Sequence, residues 1–173
     1  RAATRLRVPS ETVSFHDLVQ GDYAQDLARD CGDFIVRRSD GAFAYQLAVV
    51  VDDAAQGVTS VVRGVDLLCS TPQQIHLQRL LGLPEPAYAH VPLVVAEADR
   101  RLSKRDGDFD LGAIRARGVR PETVVGRLAH AAGLTDSDAP TTPGELLQTF
   151  SWEPLRGRGD IVCGGLVCGG ITT

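Results

Sequence analysis

Short runs of alternating apolar and polar residues open the chain. Leu6-Arg7-Val8 and Val13-Ser14-Phe15 flank Pro9-Ser10, which predicts two short strands joined by a turn. Residues 33–38 contain Phe34-Ile35-Val36, all strand formers, and stop at Ser39-Asp40-Gly41, a tight turn in which Asp caps locally and Gly tolerates positive φ. Residues 43–53 are open to two assignments. Val49-Val50-Val51 favours a strand by propensity; Tyr45, Val49 and Asp52/Asp53 at i, i+4 and i+7/i+8, with Gly57 placed as a C-terminal cap, favour a helix. Val58, Val61 and Val62 predict a strand over 58–63, ended by Gly64. Ser70-Thr71-Pro72 then offers an N-cap and a first-turn proline to a helix carrying Ile75, Leu77, Leu80 and Leu81, closed by Gly82.

Residues 88–95 form another apolar, β-rich run, predicted to be a buried strand in spite of Pro92. Strand, helix, strand in this order predicts an α/β unit with parallel neighbours, whose ligand sits beyond the carboxyl ends of the strands. A charged, flexible segment over residues 101–107, Arg101-Leu102-Ser103-Lys104-Arg105-Asp106-Gly107, follows such a strand directly. After it the pattern becomes helical. Leu111 and Ile114 before Gly118 predict a short helix, and Pro121-Glu122 starts a second with Val124, Val125, Leu128, Ala131 and Ala132 before Gly133. Pro140-Thr141-Thr142-Pro143 reads as a hinge before a last helix over 144–150. Residues 156–173 are glycine-rich, repeat Val-Cys-Gly-Gly, and are expected to be poorly ordered.

Composition changes this picture little. At 173 residues the chain is long enough for one sizeable core, able to bury roughly 70% of the unfolded surface. No apolar run approaches the roughly 20 residues that a membrane helix needs, so no membrane partner is expected. A net charge of −4 argues against a protein coated in positive charge, yet a local basic groove on an acidic protein still binds nucleic acid. The four cysteines, Cys31, Cys69, Cys163 and Cys168, do not make the dense framework of a small secreted domain, and a cytoplasmic setting is expected. The chain opens on Arg1 and holds no methionine, which leads to the expectation of a missing N-terminus.

Candidate chemistry falls in two places. The 101–107 segment presents Arg101, Lys104 and Arg105 on a backbone that can move, and phosphoryl or nucleotidyl transfer needs positive charge where negative charge builds up on leaving pyrophosphate. Lys104 is the candidate for that role; the plainer alternative is a solvated basic turn. Tyr45 and Arg63 together offer a hydroxyl and a guanidinium able to grip a carboxylate in a fork, as for an acidic amino acid. Their plainer alternatives are an amphipathic core residue and a surface ion pair. Asp52-Asp53 fits a solvated helix end better than a metal site, and Asp66 serves equally as a cap or a ligand contact. His16, His76, His90 and His130 have no metal-site spacing and are expected to be structural, with His90, on the strand leading to the charged segment, the one to watch. Neither the Cys163/Cys168 spacing nor Arg158-Gly159-Asp160 carries weight.

Four stretches in register carry a resemblance: Tyr45-Gln46-Leu47-Ala48-Val49-Val50-Val51-Asp52-Asp53, Val62-Arg63-Gly64-Val65-Asp66-Leu67-Leu68, Ser70-Thr71-Pro72-Gln73-Gln74-Ile75 and Arg101-Leu102-Ser103-Lys104-Arg105. In order and spacing they resemble the glutamyl-tRNA synthetase family of class I, over residues 5–150. The wording from Tyr45 to Ala48 and the early end are most similar to the short glutamyl-Q tRNA(Asp) branch of that family, which has no anticodon-binding domain.

The resemblance implies an α/β fold: residues 1–100 as the C-terminal half of a Rossmann-like catalytic domain with a β-rich connecting segment, a signature loop at 101–107, a small helical segment over 108–152 and a tail over 153–173. It implies an aminoacyl-tRNA synthetase-type ligase that activates glutamate with ATP and transfers it to queuosine of tRNA(Asp). Charging of tRNA(Glu) is the alternative, and a non-catalytic remnant binding tRNA or protein a third reading. By the same match Arg101, Leu102, Ser103, Lys104 and Arg105 contact ATP, with Lys104 catalytic, and Tyr45 and Arg63 bind glutamate. Arg101 stands where the family has a lysine, keeping the charge but not the donor shape. Mg2+ is expected with the ATP. The family's N-terminal half, with its His-Ile-Gly-His-like ATP motif and zinc site, has no counterpart here. This chain alone is therefore expected to be catalytically incompetent; the complete enzyme is expected to be a monomer.

Overall fold

The computed structural model describes residues 2–97, 100–101 and 111–162. The chain divides into two compact units, residues 1–91 and 92–173.

In the first unit β1 (Thr4–Leu6) is followed by β2 (Thr12–Asp17) and β3 (Gly21–Asp26), then α1 (Leu27–Asp30) and β4 (Phe34–Arg37). The expected turn at Pro9-Ser10 does not join two paired strands. β1 pairs antiparallel with β4, and β2 makes its hairpin with β3 through a bend closed by Gly21 at φ 78°. The turn after β4 is as the sequence predicts: Ala42 N–H donates to the Asp40 carboxylate at 3.0 Å, and Gly41 adopts φ 96°.

Helix α2 (Tyr45–Ala55) resolves the ambiguity of residues 43–53 in favour of spacing over propensity. Its end is fixed by Gly57, at φ 70°, and by the Val58 N–H donating to Asp53 O at 2.9 Å. Strand β5 (Ser60–Gly64) leads through a 3-10 turn (Val65–Ser70) into α3 (Thr71–Leu81), closed by Gly82, and then into β6 (Ala87–Val91). Ser70 is not the side-chain cap that its residue type suggests. Already helical at φ −87° and ψ −16°, it sits where the 3-10 turn runs straight on into α3. Ile75 and Leu77 are buried as expected, whereas Leu80 and Leu81 are exposed.

The main sheet has the order β3-β2-β6-β5. β5 and β6 are parallel and α3 connects them, so the βαβ unit expected from the pattern is present. Val13, Leu27, Ile75 and Tyr88 form the core beneath this sheet, with Val8, Phe15 and Val61 packed against them.

The second unit begins where residues 88–95 were expected to be one strand. Pro92, which cannot donate to a ladder, separates β6 from β7 (Val94–Glu97). β7 pairs antiparallel with β8 (Arg100–Arg101). Helices α4 (Leu111–Ala116), α5 (Pro121–Ala131) and α6 (Pro143–Leu146) follow. α6 is shorter than the predicted 144–150 and starts at a capping box formed by Thr142 and Glu145. On α5, Gly126 is buried where a Cβ would collide with the Ala139 carbonyl oxygen. The stretch expected to open a loose tail instead supplies a 3-10 turn (Glu153–Leu155) and β9 (Ile161–Val162), which lies parallel to β7 and takes the Ile161 N–H to Leu93 O at 2.7 Å. Residues 163–173, the rest of that expected tail, lie outside the described residues.

Candidate active site

The parallel register of β5 and β6 places Arg63 opposite His90 and Val61 opposite Tyr88. Side chains two apart on a strand share a face, so Arg63, His90 and Tyr88 meet near the carboxyl ends of both strands. The Arg63 guanidinium lies over the Tyr88 ring, 5.5 Å from its centroid, and the Tyr88 and His90 rings stack with centroids 6.1 Å apart. Arg63 Nε donates to His90 Nε2 at 3.0 Å, and Nη2 donates to the Thr71 hydroxyl at 2.7 Å. Thr71, the first residue of α3, in turn donates to Leu67 O at 3.1 Å.

On its other side His90 is held by Asp17, the last residue of β2. His90 Nδ1 lies 2.6 Å from Asp17 Oδ2, and both residues are fully buried. The same carboxylate accepts backbone N–H bonds from His90 at 3.1 Å, Val19 at 3.0 Å and Gln20 at 2.9 Å. Burial by itself would raise the Asp17 pKa; the bonds from Gln20, the His90 ring, His90 N–H and Val19 outweigh it, and the carboxyl is held below its ordinary range. For His90 burial comes first and lowers the pKa, with Asp17 opposing and the Arg63 charge adding to the fall.

These bonds fix a tautomer. Arg63 Nε is always a donor, so His90 Nε2 must accept, and the ring proton sits on Nδ1, pointing at the ionised Asp17. The chain of contacts runs from a buried carboxylate, through a neutral imidazole, to a guanidinium with one flank engaged. The three remaining N–H groups of Arg63 make no hydrogen bond among the described residues. Such a half-engaged fork, immobilised before any ligand arrives, is suited to a planar oxyanion such as a carboxylate.

The other residues singled out by sequence are less gathered. Tyr45 opens α2 with its side chain 53% exposed, and no hydrogen bond or ring contact joins it to Arg63. Its neighbour Gln46 accepts from Gln74 Nε2 at 2.6 Å, tying the start of α2 to α3. Asp52 is exposed near the end of α2, and Asp66 lies in the first turn of the 3-10 segment, where Gly64 and not Asp66 holds the cap position. His130 bonds to Thr135 O at 3.0 Å, and His16 pairs with Asp22 on the surface at 2.7 Å. Arg101 belongs to β8 by its backbone; Leu102, Ser103, Lys104 and Arg105 lie outside the described residues. Among the described residues no group of three or more His, Cys, Asp or Glu could hold a metal ion.

Asp17 was missed by sequence reasoning. The available signal was its place: Val13, Phe15 and Asp17 fall on one face of β2, so a carboxylate sits where the alternation calls for an apolar residue. A buried charge in such a position needs partners, and His90 and the bend supply them.

Residues 1–141 match the family described as tRNA synthetases class I (E and Q), catalytic domain. Among curated proteins, the chain is 51% identical over 157 residues to the glutamyl-Q tRNA(Asp) synthetase of Symbiobacterium thermophilum, covering 88% of this chain and 48% of that one. It is 63% identical over 111 residues to the protein of that name from Geobacter sulfurreducens, covering 64% and 35%, and 54% identical over 167 residues to that of Ectopseudomonas mendocina, covering 90% and 52%. The chain thus spans from about a third to about half the length of these relatives. Among solved structures, a glutamate tRNA ligase from Elizabethkingia meningosepticum, in complex with its amino acid, superposes with a TM-score of 0.75 at 23% identity, covering 90% of this chain and 35% of that one. This last likeness bears on the fold alone: a mixed α/β architecture with a parallel sheet.

Proposed function

The chain belongs to the class I tRNA synthetases (E and Q) by its catalytic domain, and from that membership we propose that it supplies part of a ligase that activates glutamate with ATP and passes it to queuosine of tRNA(Asp). The observation that carries this reading is the Arg63 guanidinium, fixed by His90 and Thr71 with N–H groups to spare. Relatives of 51–63% identity named for the glutamyl-Q reaction support the choice of substrates.

In the proposed reaction the α-carboxylate of glutamate attacks the α-phosphate of ATP, giving glutamyl-adenylate and pyrophosphate. A hydroxyl of queuosine then attacks the acyl carbon and releases AMP. The carboxylate that reacts loses its charge, so a permanent, immobile cation is better matched to the one that does not. Arg63 therefore grips the side-chain carboxylate, the Tyr45 hydroxyl donates to the same amino acid, and the α-carboxylate is left to face the nucleotide. By the family resemblance the role of Arg101, Leu102, Ser103 and Arg105 is to contact ATP, and that of Lys104 to stabilise charge on the departing pyrophosphate. Mg2+ accompanies the triphosphate oxygens, its preferred ligands. The proposed setting is a cytoplasmic monomer.

The test is glutamate-dependent exchange of pyrophosphate into ATP by the protein carrying this chain, followed by transfer of labelled glutamate to tRNA. Label should appear on tRNA(Asp) only when it contains queuosine, and Arg63→Ala should abolish exchange. Labelling of the 3′ end of tRNA(Glu) instead would replace this reading by that of a tRNA(Glu)-charging enzyme.

A further inference from the structure

Arg63 is the member of this chain of contacts with N–H groups to spare, yet its direction is set two residues away. We infer that Asp17 and His90 are positioning residues: Asp17 dictates which nitrogen of His90 carries the proton, and the bare nitrogen holds the Nε edge of Arg63, so that the outer edge of the guanidinium faces the substrate carboxylate. What that edge receives rests on the glutamate-binding role proposed for Arg63; the geometry of the relay does not.

The tautomer is set from the Asp17 side. Asp17 is fully buried and meets both the Nδ1 and the backbone N–H of His90. With the ring proton drawn to Nδ1, Nε2 offers its lone pair to Arg63 Nε at 3.0 Å. Were the proton on Nε2, it would face the Arg63 Nε–H at that distance and have the Thr71 hydroxyl, 3.1 Å away, as its acceptor, while the Asp17 carboxylate would lose the ring donor it meets at 2.6 Å. The Thr71 hydroxyl receives Arg63 Nη2 and lies 3.1 Å from both Leu67 O and His90 Nε2, so it braces the same edge of the guanidinium that His90 holds.

An isosteric change separates positioning from mere packing. In Asp17→Asn the amide oxygen still accepts the N–H groups of Val19 and Gln20, but the amide NH2 faces His90 Nδ1 and pushes the ring proton to Nε2. His90→Gln places a carbonyl oxygen where Nε2 was and restores an acceptor for Arg63; His90→Phe keeps a ring without one. Nitrogen-15 spectra of the 173-residue chain read the His90 tautomer and the Arg63 Nε–H directly, without ligand. The wild type should show an Nδ1–H tautomer and a slowly exchanging Arg63 Nε–H; Asp17→Asn should reverse the first and shift the second. In the exchange assay, Asp17→Asn and His90→Phe should raise the KM for glutamate about tenfold, as loss of a hydrogen bond to a charged group implies, with the KM for ATP little moved, while His90→Gln recovers most of the loss.

An Nε2–H tautomer in the wild type, or an Arg63 Nε–H that ignores Asp17→Asn, would overturn the relay. A reversed tautomer with an unchanged KM for glutamate would overturn its role in substrate binding. If the unmutated whole protein carrying this chain shows no glutamate-dependent exchange, the functional reading fails instead, and the spectra alone decide whether the relay exists.

Discussion

Strand β6 has a neighbour on either side and holds the two by different means. Against β5 it forms a regular parallel ladder, with five residue pairs in register from Ser60↔Ala87 to Gly64↔Val91. Against β2 the register is a single pair, Asp17↔Tyr88, helped by the Leu18 N–H donating to Tyr88 O at 2.9 Å. Beyond that point β2 bends away into its hairpin with β3, and side chains take up what backbone no longer provides. The Asp17 carboxylate accepts the His90 N–H, and Gln20 Nε2 donates to His90 O at 2.8 Å. A ladder is made of groups that nearly every residue possesses. The seam depends on one carboxylate, and that carboxylate also orients the site.

The sharpest way to break the contrast is Asp17→Ala. It strips a buried acceptor from three backbone N–H groups and from the His90 ring at once. The expected loss of stability is about 3–5 kcal/mol, read as a shift in the urea midpoint. A loss below about 1 kcal/mol, the scale of one ordinary hydrogen bond, would mean that water fills the seam and that it differs little from the ladder.

The two sides of β6 also differed in how far they could be read beforehand. β5, α3 and β6 announce themselves by the β-branched pair Val61-Val62, by the spacing of Ile75 and Leu77, and by Tyr88 to Val91, each a local signal of strand propensity or of one apolar face. Arg63 drew attention as a guanidinium near the edge of an α/β element, and its grip on a carboxylate stands as proposed. β3 was not: in Gly21–Asp26 only Tyr23 and Ala24 are apolar, and its strand conformation comes from pairing with β2 at the sheet's edge. The relay was hidden more deeply. His90 and Asp17 lie 73 positions apart, so their contact is a product of topology that no local period encodes. Proline at 92 and serine at 70 misled in the opposite sense: one ended a strand taken to continue through it, and the other was overridden by the helical turn before it. Lys104, the residue on which the nucleotide chemistry was placed, lies outside the described residues, and its role stands as proposed.

Acid should loosen the seam before the ladder. The pKa of His90 is below its ordinary value of 6.5, so as pH falls through 6.5 the unfolded chain gains a proton there and the native one does not. Stability contributed by the neutral imidazole is thus fully present above pH 6.5 and declines below it, until the native ring protonates in turn. Asp17 adds a second loss near and below its ordinary 3.8, where the unfolded carboxyl protonates first. Urea unfolding at successive pH values should therefore show stability falling from pH 7 towards 5 and again below 4. His90→Phe, though less stable throughout, should have a flatter slope between pH 7 and 5. An unchanged slope in that variant would show that His90 takes no part in the pH dependence and that the seam is not held by a neutral ring.

The smallest effect is expected on the other side of β6. Val62 pairs with Ala89 through its backbone and is 56% exposed. Val62→Thr keeps the branched Cβ that suits a strand and replaces a partly hydrated methyl by a hydroxyl that water can satisfy. The ladder hydrogen bonds are untouched, so the change should move stability by no more than about 0.5 kcal/mol, within a small shift of the urea midpoint. Such a result beside a collapse in Asp17→Ala would place the sheet's sensitivity at the seam. A cost above about 1.5 kcal/mol is the scale of a buried side chain rather than an exposed one, and would mean that the outer face of β5 is covered in solution and that the ladder, too, depends on which side chain it carries.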